Sequence, residues 1–279
     1  MKAGEYILLF GRSIRDFFND GGLMLAGSLS YFSIMAVVPF CLFLISIFFY
    51  SLGDNQELFS YFTSKIVDLF PMAAQEIADE LKVAISHRGV GIFIFIVYGV
   101  LSYQLYSSLE YAMNVVFKVK EKRSFLSHLM ISLFIITVLM AFILLSFAAS
   151  SSILILNTFR GNVTSIEVMD VTAFLIKYVV PFLLAFVTLA AVYIIMPKRK
   201  IRWSHAMIGA FIATVFQEVA KHAFTIYVFR VAEYGAVYGP LSAVAIFLLW
   251  TFCSSCILLM GAEIVHNLEV TVKKRPRKG

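Results

Sequence analysis

The stretch Gly21–Gly53, GGLMLAGSLSYFSIMAVVPFCLFLISIFFYSLG, runs for thirty-three residues without an Asp, Glu, Lys, Arg or His. About 20 such residues cross the ~30 Å hydrocarbon core of a bilayer. Five further long apolar stretches follow it, and no water-soluble core could enclose them all. The sequence therefore predicts an all-α, polytopic integral membrane protein.

Working outward from this stretch, six transmembrane helices are expected near 26–52, 90–117, 127–156, 171–197, 205–228 and 239–263. The segments between them are too short for a soluble domain, so residues 1–279 read as a single membrane domain. The composition agrees: 61% of residues are hydrophobic and 14% charged, against roughly 25% charged in an ordinary soluble domain. Mean hydropathy is +0.88. The polar N-terminal segment and the length of the first apolar run predict an uncleaved anchor rather than a signal peptide.

The distribution of basic residues sets the orientation, because Lys and Arg are retained on the cytoplasmic side. One side collects 16 of them: Lys2, Arg12 and Arg15, then Lys118, Lys120, Lys122 and Arg123, then Lys198, Arg199, Lys200 and Arg202, and the end of the chain from Lys273 to Lys278. The other side has five, Lys65, Lys82, Arg88, Arg160 and Arg230. Six spans then put both termini inside. The tail 266–279, ending KKRPRKG, reads as a basic cytoplasmic topology signal that attracts anionic lipid headgroups. Without interleaved aromatics or a base-reading module it does not suggest nucleic acid, whatever the net charge of +6.

Residues 54–88 form the longest non-spanning segment. Leu58, Phe59, Phe62, Ile66, Leu69 and Phe70 recur at helical spacing, and Pro71 suits the start of a second helix with Ala74, Ile77, Ala78, Leu81 and Ile85 on one face. Two amphipathic helices are expected there on the outer surface, either capping a cavity or shielding helix ends. Residues 5–20 form a similar inner segment, with Ile7, Phe10, Ile14, Phe17 and Phe18 expected to face lipid.

Charge inside a bilayer usually faces a cavity or a partner. The fifth span carries Gln217, Glu218, Lys221 and His222, and Glu218 shares a face with Lys221 and His222 at three- and four-residue spacing. Two readings stand: a self-neutralised pair that locks helices, or the polar lining of a substrate or proton path. With Lys177, Glu110 and Glu263 turned inward, that lining would extend from the outer to the inner face. Pro39, Pro181 and Pro240 are candidate helix breaks, and broken spans in equivalent positions are a pointer to transporter sites. Cys253-Ser-Ser-Cys256 has redox or zinc spacing, but it lies within a span and lacks flanking ligands, so packing is the expected role. With Cys41 also in an apolar run, no disulfide framework is expected. The residues suggest no catalytic, cofactor-binding or metal site.

The segments AGSLSYFSIMAVVPF (26–40), YGVLSYQLYSSLEYAMNVVF (98–117) and YGPLSAVAIFLLWTFCSSCILLMGAEI (238–264) together resemble the YihY/BrkB family of bacterial inner-membrane proteins, over nearly the whole chain. The Tyr31–Pro39 spacing and the YGPL…LLW…GAE run are the most specific parts. The resemblance implies a six-span bundle in the bacterial cytoplasmic membrane with both ends inside, and no settled biochemical activity. Members are often labelled ribonuclease BN. Metal-dependent hydrolysis needs clustered His and carboxylate ligands, whereas His87, His128, His205, His222 and His266 are scattered along this chain.

The expected function is transport or translocation of a lipid or other amphipathic or anionic solute through a polar bundle interior, without enzymatic turnover. The expected partners are membrane lipids. The alternative is a membrane scaffold or envelope-assembly factor whose buried charges are structural.

Overall fold

The computed structural model describes residues 3–36, 88–119, 179–234 and 240–274. Among the described residues all regular structure is helical: α1 (Ala3–Asn19), α2 (Gly22–Ala36), α3 (Arg88–Val116), α4 (Val180–Ile195), α5 (Trp203–Tyr234) and α6 (Pro240–Lys274). The expected third span, the outer loop up to residue 87, Pro39, Cys41 and Lys177 lie outside the described residues.

Helices α3 and α5 fall where apolar runs were read, and α5 is longer at both ends than the expected 205–228. The sixth differs more. It does not stop at 263 but continues to Lys274, a rod of about 52 Å at 1.5 Å per residue. Residues 266–274, expected in a solvated tail, are therefore helical, and the run from Gly261 to Glu269 is buried. Asn267 and Glu269 among them meet polar partners outside α6, which removes the need for water there. Within α6 the stretch Val244–Val272 is long and apolar enough to cross a membrane, with mean hydropathy 2.2. Among the described residues it is the one helix that meets both criteria; α2 and α4 are shorter apolar helices.

Of the prolines expected to break spans, Pro181 and Pro240 stand in the first described turns of helices and Pro39 lies outside the described residues. Pro181 lies in the first turn of α4, behind Val179, which already has helical dihedrals. Pro240 is the first residue of α6.

The chain forms two compact units. The first comprises Met1–Ala26, Leu109–Tyr227 and Cys253–Gly279, and the second Gly27–Ser108 and Val228–Phe252. In the second, hydroxyls tie helices together. Ser28 Oγ and Ser108 Oγ are 3.1 Å apart. Ser30 Oγ donates to the Leu248 carbonyl at 2.8 Å and lies 2.7 Å from Thr251 Oγ1. Such bonds suit an apolar environment, where dispersion and hydrogen bonds rather than hydrophobic burial join helices.

In the first unit, α5 and α6 meet along small residues. A Cβ at Gly261 would collide with Tyr193 Oη and approach Ala213 Cβ to 2.8 Å, and one at Gly209 would strike Val265. Tyr193, fully enclosed, donates its hydroxyl to the Leu258 carbonyl at 2.8 Å. Helix α1 packs on the same α6. Leu9 clusters with Ile264 and Leu268, and Phe10 stacks on Phe216 of α5 with ring centroids 6.2 Å apart. The expectation that Phe17 faces lipid is thus corrected: Leu9, Ser13 and Phe17, spaced four residues apart, form a buried stripe, while Leu8 and Phe18 point outward. Amphipathicity located an apolar face without telling whether lipid or protein covers it.

Candidate functional site: a buried polar cluster in the first unit

Two short connections set up the cluster. Between α1 and α2 the chain turns at Asp20–Gly21, where Gly21 takes φ +70 and the Asp20 N–H bonds the Asp16 carbonyl at 2.9 Å. At the end of α3, Lys118 takes φ 56, a left-handed conformation uncommon outside glycine. The Val119 N–H bonds the Asn114 carbonyl at 2.9 Å, which closes the helix in a Schellman-type cap. This turn brings the Lys118 ammonium onto the Asp20 carboxylate.

Glu110 on α3 pairs with Lys198, which follows α4. Lys198 Nζ lies 3.2 Å from Glu110 Oε1, and the side chains are only 7% and 2% exposed. In a low-dielectric interior, removing one partner leaves an uncompensated charge.

The first turn of α5 is held by a residue of α6. The Arg202 N–H donates to Glu269 Oε1 at 2.8 Å, and His205 Nδ1 lies 2.8 Å from the same oxygen. A carboxylate at a helix N-terminus satisfies an orphan donor and complements the helix dipole. Glu269 therefore caps α5 from another helix.

Between these pairs, Glu263, His266 and Asn267 share one face of α6 by their three- and four-residue spacing. Asn267 Nδ2 donates to Asp16 Oδ2 at 3.0 Å and to Ser13 Oγ at 3.2 Å. Because a carboxylate only accepts, the amide orientation is fixed, and Asn267 Oδ1 is left without a hydrogen-bond partner. The His266 ring packs edge-on to Phe117, centroids 5.9 Å apart, with the charges of Arg199, Lys118, Asp16 and Asp20 around it. Glu263 is fully buried, and neither carboxylate oxygen has a donor. The carboxyl of Asp20 lies within hydrogen-bonding reach of it, with Lys118 and Asp16 next in its surroundings. The arrangement can hold and exchange a small positive charge, or position a cationic or hydrogen-bond-donating group.

The structure thus brings two expected residues, Glu110 and Glu263, into buried polar surroundings. It places the fifth-span group differently. Glu218 pairs with Lys221 on its own helix, Lys221 is 47% exposed, and His222 is exposed. Glu218 is also about 20 Å of helix from His205. Gln217 alone reaches another helix, donating to Ser254 Oγ at 2.8 Å. Ser254 belongs to the Cys-Ser-Ser-Cys run, whose two thiols are free, and so that run contributes to the α5–α6 seam. Among the described residues no three His, Cys, Asp or Glu side chains converge as metal ligands.

Asp16, Asp20, Lys118, Lys198, His205, Asn267 and Glu269 were not singled out from the sequence. One signal was available, the recurrence of Glu263, His266 and Asn267 on one face at the end of an apolar run. The others come from four separate segments and meet only in the fold.

Sequence comparison relates the chain to membrane proteins. The profile of the family described as Virulence factor BrkB matches residues 13–279. A UPF0761 membrane protein of Aliivibrio fischeri (strain MJ11) is 30% identical over 96% of this chain and 84% of its own length. One from Pseudoalteromonas atlantica is 27% identical over 96% of this chain and 87% of its own, and one from Vibrio vulnificus (strain YJ016) is 28% identical over 90% and 79%. No solved structure matches the chain.

Proposed function

The chain belongs to the BrkB family and is a membrane protein, and from that premise we propose that it translocates a lipid or other amphipathic or anionic solute across the bacterial cytoplasmic membrane. In this reading six helices span the bilayer with both termini inside, as the 16-to-5 bias of basic residues requires. The carrying observation is the concentration of enclosed ionisable groups, Glu110, Lys198, Glu263, His266 and Glu269, in a chain so apolar. Ionisable groups at membrane depth are costly and are retained mainly where they line a path or bind a solute. Arg199, Lys200 and Arg202, which follow α4, give an anionic headgroup a place to gather on the inner face.

The test is scrambling of a fluorescent phospholipid by purified protein in liposomes. Wild type is expected to exceed protein-free liposomes, and Glu110→Gln to reduce the rate at least several-fold. Equal rates with and without protein would sink the lipid reading.

A scaffold is the second reading, favoured by one observation: two carboxylates of the sequence-derived route stand in closed ion pairs, Glu218 with Lys221 and Glu110 with Lys198. A scaffold predicts no scrambling and unchanged assembly behaviour when Glu218→Gln and Lys221→Met are combined.

A further inference from the structure

We propose that Glu263 binds a proton shared with Asp20, and that this carboxyl pair exchanges its proton with the aqueous side through Asp20, which the Lys118 ammonium holds in place. The geometry carries the assignment. Glu263 has no exposed surface and no donor at either oxygen, yet another carboxyl faces it within hydrogen-bonding reach. Two carboxylates are both acceptors, so the contact becomes a hydrogen bond only when one carries a proton.

The surroundings leave a proton as the missing charge. Asp16 and Asp20 reach Glu263 from α1 and the turn after it, and Lys118 from the end of α3. Arg12 stands 3.5 Å from Asp16, with both side chains partly open to solvent. Arg199, from the segment after α4, stands near His266 and is not among the charges that reach Glu263, so of the three carboxylates the one with no donor is the enclosed one. Helix α5 approaches this part of α6 through Gly209 and Ala213, and α4 through Tyr193, whose hydroxyl is committed to Leu258. Neither supplies a charge there. On α6 itself, the neighbouring titratable side chain, His266, packs against Phe117. A metal ion would need several converging ligands, and among the described residues no such set forms.

Access is built in. Lys118 is 52% exposed and Asp20 13%, so the series Lys118, Asp20, Glu263 grades from water to full enclosure. The exchange is simple: Asp20 takes a proton from hydronium and releases water, its O–H donates to a Glu263 oxygen, and transfer moves the proton inward and returns Asp20 to the carboxylate. Only O–H bonds form and break. The strained left-handed backbone at Lys118 keeps the ammonium on Asp20, which holds the pair in register. The site stands whether or not a solute moves; its use as a coupling site rests on the transport reading above.

The experiment is infrared difference spectroscopy of the full-length protein in lipid, titrated with pH and repeated in D2O. A protonated-carboxyl band at neutral pH is expected in wild type, lost in Glu263→Gln, and moved in frequency and midpoint pH in Asp20→Asn. Asp20 is at the edge of the cluster, so the second variant remains informative if the first fails to fold. Absence of the band in wild type, or its persistence unchanged in Asp20→Asn, overturns the assignment. Liposomes that fail to scramble while the band behaves as expected would remove the transport reading alone.

Discussion

Glu269 Oε1 lies 2.8 Å from His205 Nδ1, tying the last turns of α6 to the first turn of α5. The same oxygen takes the Arg202 N–H, so one carboxylate closes a helix end that no local side chain caps. Deleting it leaves both a ring nitrogen and a backbone donor unsatisfied out of water.

Glu269→Ala should therefore destabilise the protein by about 3 kcal/mol, the range for breaking a buried charged contact. Glu269→Gln, which retains an acceptor, should lose about half as much. Thermal unfolding in detergent reads both, and equal effects of the two variants would argue against the cap.

Asn267 joins α1 to α6 through Asp16 and Ser13. Asn267→Asp sets a carboxylate against Asp16 in a buried site and should cost about 3 kcal/mol or more. Asn267→Ala should cost roughly 1–3 kcal/mol and release α1, seen as faster hydrogen exchange across residues 8–19. Unchanged exchange there would mean that Leu9, Phe10 and Phe17 hold α1 without the polar contacts.

Gly261 sits where Tyr193 and Ala213 leave no room for a methyl group. Gly261→Ala should destabilise by about 1–3 kcal/mol through overpacking, and Tyr193→Phe in the same background should recover part of it by removing the hydroxyl that clashes. The double variant tests the contact directly, since distant sites would simply add.

The Glu110–Lys198 pair gives a prediction of a different shape. Lys198→Met alone strands a buried carboxylate and should cost about 3–5 kcal/mol, whereas Glu110→Leu combined with Lys198→Met should come within about 1–2 kcal/mol of wild type. If the stable double variant also loses lipid scrambling, the charges serve translocation. Retained scrambling would make the pair structural.

Much of the helical layout was legible because apolar runs of span length have few alternatives in structure. Helix α3 begins two residues before its expected start and ends one before its expected end, and α6 begins within one residue of its expected start. The far end of α6 was not legible. Glu269, Lys273 and Lys274 look like solvent-facing tail residues, and local sequence cannot say that Arg202 and His205 will meet Glu269. Pro181 and Pro240 read as breaks from the sequence, and a proline's effect depends on whether helix precedes it. The fifth-span charges drew notice through their close spacing, yet that spacing lets Glu218 and Lys221 satisfy each other.

By itself the sequence determined that this is a membrane protein of the BrkB family, since apolar length and motif spacing are properties read along the chain. Which polar groups become a site was decided only by tertiary structure. Asp20, Lys118, Lys198, Glu263 and Asn267 are ordinary residues in one dimension, spread over some 250 positions. Packing removes water from Lys198, Glu263 and Asn267 together, and each must then find its partner on another helix or, like Glu263, stand against a second carboxyl.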